Sequence, residues 1–241
     1  MALFGFDPLT ASTLMVLAAA SHYGDECPKR PRTKINVIPV TEEVKYDYSK
    51  SLKELQGQAS GTVDPYGFHG TTVTQAYMSG TIAPQASISF DYNEIKGRRG
   101  ICLWYKSIDV DIKIDPTIVI AQELYKDSCM RKALIGHELK HVKVDREVVN
   151  DYANLIGKKL LKELKARGFA VGPIPFEEAE RVTGKMRHVV KQILELEYQK
   201  MHIDRQERQR EVDNLEEYQS IDKKCPRFQE KKRELYSTLG E

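Results

Sequence analysis

The hydrophobic period of this chain changes once, and that change limits what it can fold into. Ile108, Val110, Ile112 and Ile114 alternate with Asp109, Asp111 and Lys113. That is the period of two of a strand with one buried and one wet face. From about Cys129, Leu134, His137, His141, Val148, Tyr152, Leu155 and Leu160 recur at threes and fours, one face of a long helix. Strands up to about Glu123 followed by helices predict an α+β protein.

The remaining segments fit that division. Ile35–Val40 reads as a first strand, and Val44, Tyr46 and Tyr48 alternate with polar residues; Leu52 and Leu55 suit a short helix. Thr71–Met78 and Ala86–Tyr92 are β-branched or aromatic runs bounded by Gly and Pro, and Thr117–Ala121 is a short apolar strand. The first long helix is expected from Cys129 to Arg167, stopped by Gly168, with Gly172, Pro173 and Pro175 making a turn. A second follows from Phe176 to Asp213, with Thr183-Gly184 as the point where it would break. Two long helices with a short link pack antiparallel. One domain is expected over 26–241: strands over 26–123, a helical hairpin over 128–219, and a charged tail over 220–241, either a docking helix or a solvated end.

Charge excludes one class of partner. Lys and Arg total 37 against 35 Asp and Glu, so there is no basic footprint and no nucleic-acid partner is expected. Leu9–Ala20 is apolar and ends in Ala18-Ala19-Ala20, an A-x-A-like site before Ser21. It is too short to span a bilayer, so no stable membrane insertion is expected. Residues 1–25 are read as a signal peptide of an exported protein, or else as a docked N-terminal helix of a cytoplasmic one. The four cysteines form no C-x-x-C pair, which argues against a zinc ribbon or a thioredoxin-type site. Export would favour two disulfides, with Cys129–Cys225 the preferred pair.

The chemistry is concentrated in His137-Glu138-Leu139-Lys140-His141, an H-E-x-x-H motif. Residues four apart on a helix lie on one face a turn apart, so both imidazoles can reach a single ion. Zinc suits two neutral imidazoles and a further protein donor, and it makes water acidic enough to attack a carbonyl near neutral pH. Glu138 is placed to accept and return the proton. The alternative is a pair of histidines satisfied by hydrogen bonds in a helix interface.

The third donor must come from elsewhere. Asp145 lies one turn beyond His141 and is better suited to supporting a histidine than to binding the ion. Antiparallel packing brings the second helix past the motif, and His202, Glu207, Glu211 and Asp213 are candidates there. His202, Gln209 and Asp213 share one polar stripe. His69, in Phe68-His69-Gly70, is a candidate transition-state stabiliser, and Ser87–Phe90 a strand that could pair with substrate backbone.

The order of segments resembles a bacterial family of secreted zinc-dependent proteases of otherwise unknown function. The resemblance runs from about Ile35 to Tyr218. It rests on Tyr46-Asp47-Tyr48 with Leu52 and Leu55, and on Gly70-Thr71-Thr72 with Thr74 and Ala76. Cys102, Trp104 and Ile114 follow, then Ala133-Leu134 before the histidine motif. Only that motif is specific. The resemblance implies a third ligand near the end of the second helix, a histidine in the family. Asp213 stands closest to that place and ranks ahead of His202. The expectation is therefore a zincin-like α+β domain, with a twisted, largely antiparallel sheet before two long antiparallel helices. Its function would be Zn2+-dependent hydrolysis of a protein or peptide substrate. Hydrolysis of a non-peptide amide, or a non-catalytic scaffold with a structural metal, are the alternatives.

Overall fold

The strand expected over Ile108–Ile114 is the middle of a longer one. The computed structural model describes residues 27–56, 73–95 and 100–237. Five strands form one sheet: β1 (Lys34–Thr41), β2 (Lys45–Asp47), β3 (Ala76–Glu94), β4 (Ile101–Ile120) and β5 (Ala170–Ile174). β4 pairs with each of the other four. β2 lies parallel to it, Tyr46 opposite Ile118, and β5 antiparallel, Trp104 opposite Ala170. The sheet is thus mixed, where the sequence suggested a largely antiparallel one. The helices are α1 (Leu52–Gln56), α2 (Gln122–Tyr125), α3 (Ser128–Arg167), α4 (Ala179–Val212), α5 (Leu215–Lys224) and α6 (Gln229–Ser237). The class is α+β with two long helices.

Two prolines explain why the long strands read as fragments. Pro116 lies inside β4 although proline cannot donate to a ladder. The Glu42 N–H bonds to the Ile114 carbonyl and Lys45 pairs with Thr117, so Pro116 falls opposite the gap between β1 and β2. Pro84 lies in β3, which pairs only with β4 among the described residues. An edge strand tolerates a residue without an N–H.

The chain divides into two compact units. The first takes in the described residues up to Ile38, with Pro84–Ile112 and Tyr152–Gln199. Its core holds Ile101, Leu103, Ile108, Val110, Ile156, Leu160 and Val190, and Cys27 is bonded to Cys102. Gly168 ends α3 at a positive φ of 95°, its N–H bonded to the Leu164 carbonyl, as its position suggested. The following Gly-Pro segment is more than a turn, because it forms β5. Gly172 has a φ of 147°, and a Cβ there would lie 2.7 Å from the Cys102 Cα, so only glycine lets β5 approach β4 this closely.

α4 runs unbroken through Thr183-Gly184, where a break was expected. A Cβ on Gly184 would meet no atom within 4 Å. Gly184→Ala is therefore expected to raise stability by about 0.5–1 kcal/mol in urea unfolding, because it removes unfolded-state freedom without a clash.

The second unit comprises Pro39–Ala83, Lys113–Asp151 and Lys200–Glu241, apart from residues not described. Its core gathers Leu52, Leu55, Ile118, Ile120, Leu124, Met130, Leu134 and Val142. Ile221, Cys225 and Phe228 join them, so the charged C-terminal segment docks through one apolar side. Cys129 is bonded to Cys225, the preferred pair, across a sequence separation of 96. No helix among the described residues is long and apolar enough to cross a membrane.

Candidate metal centre

The site is built on the first half of α3. Asp127 caps this helix, its Oδ1 accepting from the N–H groups of Cys129 and Met130 at 2.9 Å each. Met130, Leu134, His137, Glu138, His141, Val142, Asp145 and Val148 are all buried. Four of these eight are polar or charged, on a face that could have been apolar throughout. Burying such groups is costly unless each finds a partner or a charge to neutralise it.

Three of the polar atoms converge. His141 Nε2 lies 3.3 Å from His137 Nε2 and 3.1 Å from Asp213 Oδ1, and His137 Nε2 lies 3.3 Å from the same oxygen. The two rings stand nearly perpendicular, at 85°, which lets their Nε2 atoms meet. A tetrahedral ion about 2.0–2.1 Å from each donor holds its donors about 3.3–3.4 Å apart. The triangle is therefore close to one face of that tetrahedron, and two imidazoles with one carboxylate are a donor set that zinc accepts. Among the described residues the group has three donors. Catalytic zinc sites typically use three protein ligands and structural ones four.

Asp213 reaches the site because it follows the last residue of α4. Asn214 behind it caps α5, accepting from the Glu217 N–H at 2.9 Å. α3 and α4 run antiparallel in this unit: His141 contacts Gln209, while Asp145, further along α3, meets Arg205, earlier in α4. His202 does not join the group. It is exposed on α4, with Nε2 3.4 Å from Gln206 Nε2. Three helical turns, about 16 Å, separate it from the level of Asp213. The sequence left the level of pairing open between His202 and Asp213, with Asp213 favoured, because the link between the helices contains β5 and is no tight turn. Glu207 and Glu211 are exposed. His69 lies outside the described residues, and Ser87–Phe90 belongs to the first unit.

Around the triangle the charges interlock. Burial alone would raise the Asp213 pKa, but hydrogen bonds from the two histidines pull its carboxyl well below the usual carboxylate range. Burial opposes charge on His141, yet the bond to Asp213, aided by Glu138 and Gln209, raises its pKa. Glu138 is pushed up by burial, which outweighs the nearby histidines and the Met78 backbone N–H that donates to its carboxylate. A carboxyl raised in this way is a better proton acceptor than an ordinary one.

A polar layer lies behind the three converging donors. Asp145 is wholly buried and is not one of the three converging donors; its oxygens accept from Arg205 Nε at 2.7 Å and Nη2 at 2.9 Å, and from Gln209 Nε2 at 2.6 Å. Arg205 also donates to the Gly80 carbonyl at 3.3 Å. On the other side Glu217 accepts from Lys140 Nζ at 2.6 Å and lies 3.6 Å from His137 Nδ1. Arg205 and Glu217 were not singled out from the sequence. The usable signal for Glu217 was its spacing, since Gln209, Asp213 and Glu217 stand four apart like the two histidines. Asp145→Ala is expected to cost about 1–3 kcal/mol in chemical denaturation, because it leaves a half-buried guanidinium and amide without their acceptor. A loss below about 1 kcal/mol would mean that the cluster relaxes into solvent.

Comparison with family models, with curated proteins and with solved structures finds no match to this chain.

Proposed function

We propose that this chain is a zinc-dependent metallopeptidase of zincin-like fold, akin to the secreted bacterial protease family its motifs resemble. The observation that carries the reading is the buried triangle of His137 Nε2, His141 Nε2 and Asp213 Oδ1, with edges of 3.1–3.3 Å. Bound zinc supplies Lewis acidity, which brings proton loss from water into the neutral range and polarises a carbonyl. His137, His141 and Asp213 would hold it. Glu138 takes the proton from the attacking water as the new carbon–oxygen bond forms. It then delivers that proton to the amine nitrogen as the carbon–nitrogen bond breaks. The two disulfides fit folding in an oxidising, exported environment.

The test is metal content and hydrolysis on purified protein kept free of chelators. The expected result is one zinc per chain and cleavage of casein. Absence of metal overturns the reading, while metal with activity only on small amides moves it to the non-peptide alternative.

The charge pattern also fixes a pH dependence. In metal-free protein the raised His141 pKa contributes stability below about 6.5, its ordinary value, lost as pH rises through the raised one. The depressed Asp213 pKa contributes stability above about 4, lost as pH falls through the depressed one. The pair therefore supports the metal-free fold best between those two ordinary values. Zinc needs the neutral imidazole, so its effect has the opposite trend. The rise in Tm on adding zinc should be larger at pH 8 than at pH 6, and a rise independent of pH would contradict ligation by His141.

A further inference from the structure

We propose that Gln209 and Glu217 are positioning residues that hold the two metal-binding imidazoles with a proton on Nδ1, so that each turns its Nε2 lone pair to the ion. The proposal rests on the metal reading above and adds the device that sets the affinity. The orientation of the Gln209 amide is fixed by what its nitrogen meets. Nε2 donates to the His141 carbonyl at 3.0 Å and to Asp145 Oδ1 at 2.6 Å, and both of these can only accept. Turning the amide over would put its oxygen against two acceptors. Gln209 Oε1 is therefore the atom that meets His141 Nδ1, and that contact is a hydrogen bond only if Nδ1 carries the proton.

Arg205 makes the arrangement rigid. Its Nε and Nη2 grip the two oxygens of Asp145, and Asp145 in turn anchors the Gln209 amide. A line of four side chains, Arg205, Asp145, Gln209 and His141, thus ends on the imidazole. This line meets the donor triangle through the contact from Gln209 to the His141 ring.

Glu217 faces His137 Nδ1 as an ionic neighbour and not, as Gln209 does for His141, through a hydrogen bond. One carboxylate oxygen accepts from Lys140 Nζ and the other lies 3.6 Å from His137 Nδ1, a few tenths of an ångström beyond hydrogen-bond range. An ionised carboxylate only accepts, so the ring nitrogen it favours there is an N–H. Both rings then offer Nε2, and the short distances among Nε2, Nε2 and Oδ1 become three lone pairs aimed at one point. Without this control a ring bearing its proton on Nε2 presents a hydrogen to the ion site. Outer partners of this kind change metal affinity by about 10–100-fold.

Zinc affinity is measured by competition with a chromophoric chelator for the wild type, Gln209→Leu, Glu217→Ala, Glu217→Gln and His141→Ala. The ring N–H signals of the zinc-loaded proteins are followed by 15N-edited NMR. Gln209→Leu and Glu217→Ala should each bind zinc about 10–100-fold more weakly, and Glu217→Gln, which keeps an acceptor oxygen, should recover most of the loss. In the wild type two Nδ1–H protons should exchange slowly with water. Gln209→Leu should lose protection of the His141 proton only, and Glu217→Ala of the His137 proton only, which a general loosening of the fold would not reproduce. Wild-type affinity in both variants, with His141→Ala inactive in binding, overturns the positioning role and leaves the metal site standing. Zinc bound through Nδ1 in the wild type overturns it without any variant. A wild type that binds no zinc removes the site itself.

Discussion

Glu138→Gln is expected to keep its zinc and to cleave casein about 10²–10⁴-fold more slowly, the range that a positioned general base contributes. The amide has nearly the shape of the carboxyl, and Glu138 belongs to the buried face of α3 without being one of the converging donors. Its loss therefore separates proton transfer from ion binding. Metal content by mass spectrometry and casein cleavage at saturating zinc read the two effects independently. Wild-type turnover in a fully metallated Glu138→Gln protein would remove Glu138 from the reaction.

His141→Ala should show the converse, an ion lost rather than a proton acceptor lost. Zinc content should fall from one per chain to less than about a tenth, with affinity reduced beyond the roughly 10–100-fold that outer partners control. The reason is geometric as well as chemical. His141 Nε2 forms two edges of the triangle, 3.3 and 3.1 Å, so its removal leaves two donors where zinc prefers at least three. The same change deprives Asp213 of one of the two hydrogen bonds that hold its carboxyl ionised in a buried setting. Activity restored at high zinc concentration would fit the role. Full zinc content without added metal would exclude His141 as a ligand.

The parts of the fold that were legible are those where periodicity and burial agree. Ile108, Val110, Ile112 and Ile114 are buried in β4 while Lys113 between them is exposed, and the threes and fours of α3 mark its buried side except at Leu155, which is exposed while Ala153 and Ile156 beside it are buried. His137 and His141 were legible because helical spacing alone makes them neighbours. The third donor depended on register between two helices, which a sequence states only through the link joining them. That link looked like a turn because it is rich in Gly and Pro, yet the same residues form β5, and the resulting register leaves His202 exposed and places Asp213, the favoured candidate, beside the histidines. Pro84 and Pro116 broke up β3 and β4 on paper for a related reason. Proline rules concern donors a ladder needs, and at Pro116 the facing stretch lies between two strands. Arg205 and Glu217 were hidden among many exposed charges of the same kinds, since a charged residue on a helix gives no local sign that its partner is buried.

The Cys129–Cys225 bond has a consequence for how the centre empties and refills. It staples the chain a few turns beyond Asp213 to a point two turns ahead of His137. Asp213 is therefore on a short leash whether or not an ion is bound. Its local concentration near the imidazoles stays in the millimolar range or above, as for any short tether. Capture of a cation then needs little searching by the polypeptide, and on the proposed reading metal-stripped protein should take up zinc quickly while the staple is intact.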